Sequence, residues 1–153
     1  ATARDADQLR AVWNELDATE RRDAFVCARA ATLAAGFGAP GDARDWLRPL
    51  WDRIAELPDD ERGVVAMALA GGTAGLAADW LPRLEAAERA LPRDGRVALA
   101  VGEAYAERQI WGKARGLLEQ AAGDDLLPAP ARRSAARRLA LLAREQGDEQ
   151  GAA

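Results

Sequence analysis

The chain has 153 residues, 49% of them hydrophobic and 30% charged, enough for one domain with a sizeable core. A formal net charge of −4 excludes an overall basic character suited to nucleic acid. There is no histidine to act as a base, and the one cysteine, Cys27, has no partner for an internal disulfide, so histidine-assisted hydrolysis and a disulfide scaffold are both excluded.

Alanine dominates the hydrophobic share while aromatics make up 5%, a balance that favours helices over strands. The first expected helix covers 5–17, with Leu9, Val12, Trp13 and Leu16 on one face at i, i+3, i+4 and i+7. Thr19 is placed to cap a second over 20–35, which Gly36 to Gly41 ends. A third, 42–56, carries Trp46, Leu47, Leu50, Trp51 and Ile54 on one side, and Pro49 within it predicts a kink or a late start. The acidic run Asp59-Asp60-Glu61 suits the N-terminus of a fourth helix over 60–72, closed by Gly71-Gly72. Asp79-Trp80 opens a fifth with an apolar face of Leu81, Leu84, Ala87, Ala90 and Leu91, which Pro92 stops. The last three cover 95–108, 112–122 and 130–146, with Gly147-Asp148 closing the final one.

These eight helices with short breaks invite a search for a period. Ala98-x2-Val101-Gly102-x2-Tyr105, followed by Ala114-x3-Leu118 and Ala121, fits the tetratricopeptide pattern of small and large positions. The preceding unit is read through Val64, Met67 and Ala68, then Leu84, Ala87 and Pro92. The following one is read through Ala136, Leu139, Ala140 and Ala143. The small residues Ala28, Ala68, Gly102 and Ala140 are then spaced by 40, 34 and 38 residues, and Trp111 opens the second helix of the clearest unit. The expectation is an all-α, right-handed superhelical stack of tetratricopeptide-like antiparallel hairpins in a single domain, 1–153. Within it, 5–18 is the second helix of a truncated repeat, 20–56, 60–92 and 95–123 are repeats, and 130–153 is a truncated repeat. With no initial methionine, the expectation is a piece of a longer protein, and no stretch reaches the roughly 18 apolar residues of a membrane span.

The segment Gln109-Ile110-Trp111-Gly112-Lys113-Ala114-Arg115-Gly116-Leu117-Leu118 resembles the WGKAR segment of the HemY family. Trp80-Leu81, Glu85-Ala86-Ala87, Leu91-Pro92-Arg93-Asp94 and Arg132-Arg133-Ser134-Ala135 are also similar to that family, over about residues 45–150. The resemblance implies a bacterial inner-membrane protein with two membrane helices upstream of this segment. It also implies a tetratricopeptide array, with no catalytic residues to carry over, that organises partners of haem and tetrapyrrole biosynthesis. It implies a place for the array on the cytoplasmic face.

Other motifs lack the context that chemistry demands. Gly36-Phe37-Gly38-Ala39-Pro40-Gly41 spells G-x-G-x-x-G, but a dinucleotide site needs a strand before it, and an alanine-rich helix stands there. Gly71-Gly72-Thr73-Ala74-Gly75 lacks the lysine of a phosphate-binding loop. The clusters Asp59-Asp60-Glu61 and Asp124-Asp125 have no histidine or further carboxylate at metal-ligand spacing, so no metal is expected. Ser134 has no base. Cys27, Met67 and Tyr105 are the side chains through which haem could be ligated, the alternative to a cofactor-free scaffold being direct haem or porphyrin binding. Trp13, Trp46, Trp51, Trp80 and Trp111 are expected between helices, with one or two left as anchors for a partner. Arg132, Arg133, Arg137, Arg138 and Arg144 make the last helix basic, a face for solvent or for acidic partners, anionic lipid or porphyrin propionates.

In a hairpin stack the first helix of each unit lines one face. In the register above, that face is Arg22, Phe25, Arg29, Arg62, Val65, Leu69, Leu99, Glu103, Arg137, Arg138 and Leu141, a groove suited to an acidic extended peptide or partner helix.

Overall fold

The computed structural model describes residues 3–152, with side chains to residue 147, and every regular element among them is helical. The outer bounds 1 and 153 of the expected domain lie outside the described residues. The helices are α1 (Ala6–Glu15), α2 (Ala18–Arg22), α3 (Ala24–Gly36), α4 (Pro40–Trp51), α5 (Asp59–Ala70), α6 (Leu81–Ala90), α7 (Gly95–Glu107), α8 (Trp111–Ala122) and α9 (Ala129–Ala152). Single 3-10 turns at Ile54–Glu56 and Ala78–Trp80 precede α5 and α6.

Aspartates set four of the starts, because a side-chain oxygen can satisfy backbone N–H groups that the first helical turn leaves without a partner. Asp5 accepts from Gln8 N at 2.8 Å, and Asp23 accepts from Phe25 N and Val26 N at 2.9 and 3.0 Å. Asp94 accepts from Arg96 N at 2.9 Å. Asp17, rather than Thr19, caps α2 in a reciprocal box with Glu20. A second start at Asp23 divides the expected helix 20–35 into α2 and α3. Pro49 is accommodated inside α4, which ends two residues later at Trp51 rather than continuing to 56. Gly147-Asp148 does not stop α9.

The helices recur with a period. α3, α5, α7 and α9 begin at residues 24, 59, 95 and 129, intervals of 35, 36 and 34. α5 packs on α3, and α7 packs on α5. α3 pairs with α4 and α7 with α8 as antiparallel hairpins, and their turns share one hydrogen-bonding pattern. Ala39 N donates to Ala34 O, and Ile110 N donates to Tyr105 O, both at 2.8 Å. Gly38 and Gln109, 71 residues apart, hold the left-handed position of these turns at φ 80° and 63°. The G-x-G-x-x-G string is thus the turn between two helices. α1 packs on α3, with Leu9 and Trp13 buried.

The middle hairpin is different. α5 and α6 barely touch, and α6 packs instead on α7 and on the 3-10 turns. The connecting loop is held by its neighbours: Arg44 of α4 donates to Gly72 O at 2.8 Å and to Ala74 O at 2.7 Å, and Gly75 N donates to Glu107 of α7 at 2.9 Å. Arg96 at the start of α7 reaches Asp59 at the start of α5, 2.7 Å away, and Asp94, tying successive first helices together.

The buried side chains form one cluster from Leu9 to Leu142, in which Trp51, Trp80, Tyr105, Leu47, Leu84 and Leu118 are the large members. Ala114, Leu118 and Ala121 are fully buried, and a Cβ on Gly102 would lie 2.9 Å from Leu118 Cγ, so the α7–α8 crossing requires a glycine's small size there. The expected register of small residues holds at Gly102 but slips elsewhere. At the same distance from their helix starts, α3 and α5 bury Ala31 and Ala66 completely, 35 residues apart, rather than presenting Ala28 and Ala68 at that crossing. On α9, Ala131, Ala135 and Leu142 are buried, while Ala136, Ala140 and Ala143 are exposed.

Candidate partner-binding groove

An open groove of about 470 Å³ runs between α3 and α5. Phe25, Ala28, Arg29 and Thr32 form its α3 wall, and Val64, Met67 and Ala68 form its α5 wall. Phe25 is 50% exposed, an apolar ring left in water by a chain that buries most of its large side chains. Asp23 fixes the first turn of α3 through Phe25 N and Val26 N, so the ring is presented from a capped helix end. Small residues on the floor, Ala28 and Ala68, let a visiting side chain approach the two backbones.

Of the groove residues expected from sequence, Phe25 and Arg29 line this groove and Arg22 is exposed near it in sequence, on α2. Val65, Leu69 and Leu99 are corrections: each is at most 1% exposed and belongs to the core. On α5 the register is slipped: Val64 and Met67, expected between helices, are half-buried and line the groove, while Val65 and Leu69 are fully buried; on α7, Leu99 is buried likewise. Arg62 is also a correction. Its guanidinium donates to the carbonyls of Ile54, Ala55 and Leu57, each at 3.1 Å, and so closes the turn before α5 instead of facing a partner.

The α7–α9 end of the same strip is filled. Arg138 of α9 lies 3.4 Å from Glu103 and 3.7 Å from Glu107 of α7. Burial raises the pKa of Glu103, the positive charge of Arg138 opposes that rise, and Glu107 adds to it. Arg137 and Leu141 stand exposed further along α9, Leu141 at 45%, and are not brought to the α3–α5 groove. The expected residues therefore divide into an apolar groove at one end and a charged bridge at the other.

The side chains considered for haem are distributed unequally. Cys27 is fully buried, its thiol donating to Arg21 O at 2.7 Å, and burial, with the charge of Asp23, pushes its pKa up to about 11. A thiol held protonated and enclosed is a poor ligand. Tyr105 is 1% exposed and its hydroxyl donates to Glu88 at 3.2 Å; burial and the Glu88 charge raise its pKa. Met67 alone of the three lines the groove. Among the described residues no group of three acidic or cysteine side chains is placed to hold a metal ion, and no helix is long and apolar enough to cross a membrane.

Sequence reading missed a second concavity. Trp13 of α1 stacks on Trp46 of α4, ring centres 4.6 Å apart and 15° from parallel, at the edge of a cleft of about 450 Å³ on the second-helix side. The helical spacing marked both tryptophans as apolar, but nothing in one chain's sequence pairs residues 33 positions apart. Set against protein-family models, curated proteins and solved structures, the chain matches none of them.

Proposed function

We propose that this chain is a non-catalytic protein-binding scaffold, a tetratricopeptide-like array whose first helices form a right-handed superhelical wall. The observation that carries the reading is the α3–α5 groove, where half-exposed Phe25 stands with Val64, Met67 and Arg29 on helices that recur every 34–36 residues. Such a groove suits one apolar face of an acidic amphipathic segment. The resemblance around Trp111-Gly112-Lys113-Ala114-Arg115 supports placing the array in a HemY-like protein of the bacterial inner membrane, on the cytoplasmic face, where it would hold enzymes of haem and tetrapyrrole biosynthesis together.

Site-directed photocrosslinking tests this. A photoreactive residue at Thr32, in the groove, is expected to capture a haem-pathway enzyme in cells, and Phe25→Asp or Met67→Glu is expected to abolish that product. The same product formed equally from Glu119, on α8, or undiminished in both variants, would remove the groove from the interaction.

A further inference from the structure

We propose that the cleft between α1–α2 and α4 is a second docking site, distinct from the α3–α5 groove, and that its occupant is an acidic peptide carrying an aromatic side chain. The cleft offers the half-buried indole of Trp46 and the exposed ring of Pro49, over a floor of the buried Trp13 and Leu50. Flat apolar surfaces of this kind give an aromatic ring large contact at little entropic cost. Around them stand three guanidinium groups, Arg21, Arg22 and Arg53, against a single carboxylate, Asp45. Asp45 is drawn toward Arg48 at 3.6 Å, and Arg53 pairs at 3.6 Å with the exposed Glu56, both weak surface pairs. The rim therefore carries an excess of positive charge that a carboxylate-bearing segment complements.

Arg21 makes the site specific. Its Nε donates to Trp13 O at 3.2 Å and its Nη2 to Asn14 O at 2.8 Å, while its guanidinium carbon sits 6.0 Å from the Trp13 ring centre. Those bonds fix a long side chain that would otherwise lose freedom on binding, and they use one edge of the guanidinium. The Arg21 backbone is anchored as well, since its carbonyl accepts from the buried Cys27 thiol. The Asp17–Glu20 box holds α2 in place. A helix of five residues is thereby made rigid, and it presents a guanidinium beside an indole. This is the arrangement that receives a carboxylate next to an aromatic ring.

The probe is a fluorescein-labelled peptide of alternating glutamate and phenylalanine, compared at low salt with its lysine–phenylalanine and glutamate–serine counterparts. The glutamate–phenylalanine peptide is expected to bind and to shift the indole N–H signals of Trp13 and Trp46 while leaving those of Trp80 and Trp111 in place. Arg22→Glu with Arg53→Glu, both on exposed side chains, is expected to weaken binding about tenfold while the far-UV CD stays unchanged. Trp46→Ala is expected to abolish it. Equal binding of the lysine–phenylalanine peptide, or unchanged affinity in the double arginine variant, would overturn the proposal. Shifts confined to the surroundings of Phe25 and Met67 would also overturn it, by assigning the acidic peptide to the α3–α5 groove. Loss of binding in Phe25→Asp alone would do so on the same ground.

Discussion

The hairpins α7–α8 and α5–α6 occupy successive turns of one period, yet they are held by different means. In α7–α8 the two helices cross at Gly102 against Leu118, the turn is closed by the Ile110–Tyr105 bond, and Ala114, Leu118 and Ala121 fill the seam. In α5–α6 the helices hardly meet, the turn is a loop over 71–77, and Arg44 and Glu107 reach in from α4 and α7 to hold it. A repeat of this kind does not need every hairpin to be self-sufficient, because each unit buries its faces on both neighbours. The strip of first helices continues unbroken through α3, α5 and α7, and the open face of α5 is left for the groove.

Forcing the tight hairpin apart is the largest perturbation. Gly102→Val places branched carbons where a single Cβ would already meet Leu118, and we expect a loss of about 3 kcal/mol in urea unfolding, the overpacking cost exceeding the gain in helix propensity. Cutting the loose hairpin from its neighbours comes next. Arg44→Met strands the carbonyls of Gly72 and Ala74, and a loss of about 2 kcal/mol is expected. Amide exchange should quicken over 71–78 and stay unchanged in α7–α8. A smaller effect of opposite sign sharpens the likeness between the α3–α4 and α7–α8 turns. Gln109 has the left-handed backbone that Gly38 supplies in the other turn, so Gln109→Gly is expected to stabilise by up to about 1 kcal/mol, read as a rise in Tm.

The smallest expected effect concerns the α7–α9 bridge and depends on pH. The pKa of Glu103 is raised in the fold, so its favourable contribution is complete below the ordinary carboxylate range and is lost as pH rises through the raised value. Glu103→Gln removes that dependence. The Tm of the native chain relative to this variant is expected to fall as pH rises from the ordinary carboxylate range, and parallel curves would assign the titration to another group. Haem added to the protein is expected to show no thiolate or tyrosinate ligation in its Soret band, since Cys27 and Tyr105 are enclosed and hydrogen-bonded.

The helical class could be read from the residues, because apolar spacing acts over a few positions. The caps at Asp17, Asp23 and Asp94 did not stand out, and the spacings of 40, 34 and 38 between small residues became 35, 36 and 34 between helix starts. Gly102, Tyr105, Ala114, Leu118 and Ala121, singled out by their mixture of small and large sizes, all lie in the core. What the residues left open was rotation. On α5 and α9 alanine and valine occur on several sides, so Val65 could be exchanged for Val64, or Ala135 for Ala136, without disturbing the pattern. Burial was settled by the helices packed alongside. Arg62 looked like any surface arginine until the carbonyls of the 54–57 turn were brought beside it, and Trp13 met Trp46 through the docking of α1 on α4. Alanine-rich helices specify that they will form and roughly how often they recur. Their small, uniform side chains do not specify which face turns inward, and that choice belongs to the larger residues contributed by neighbouring helices.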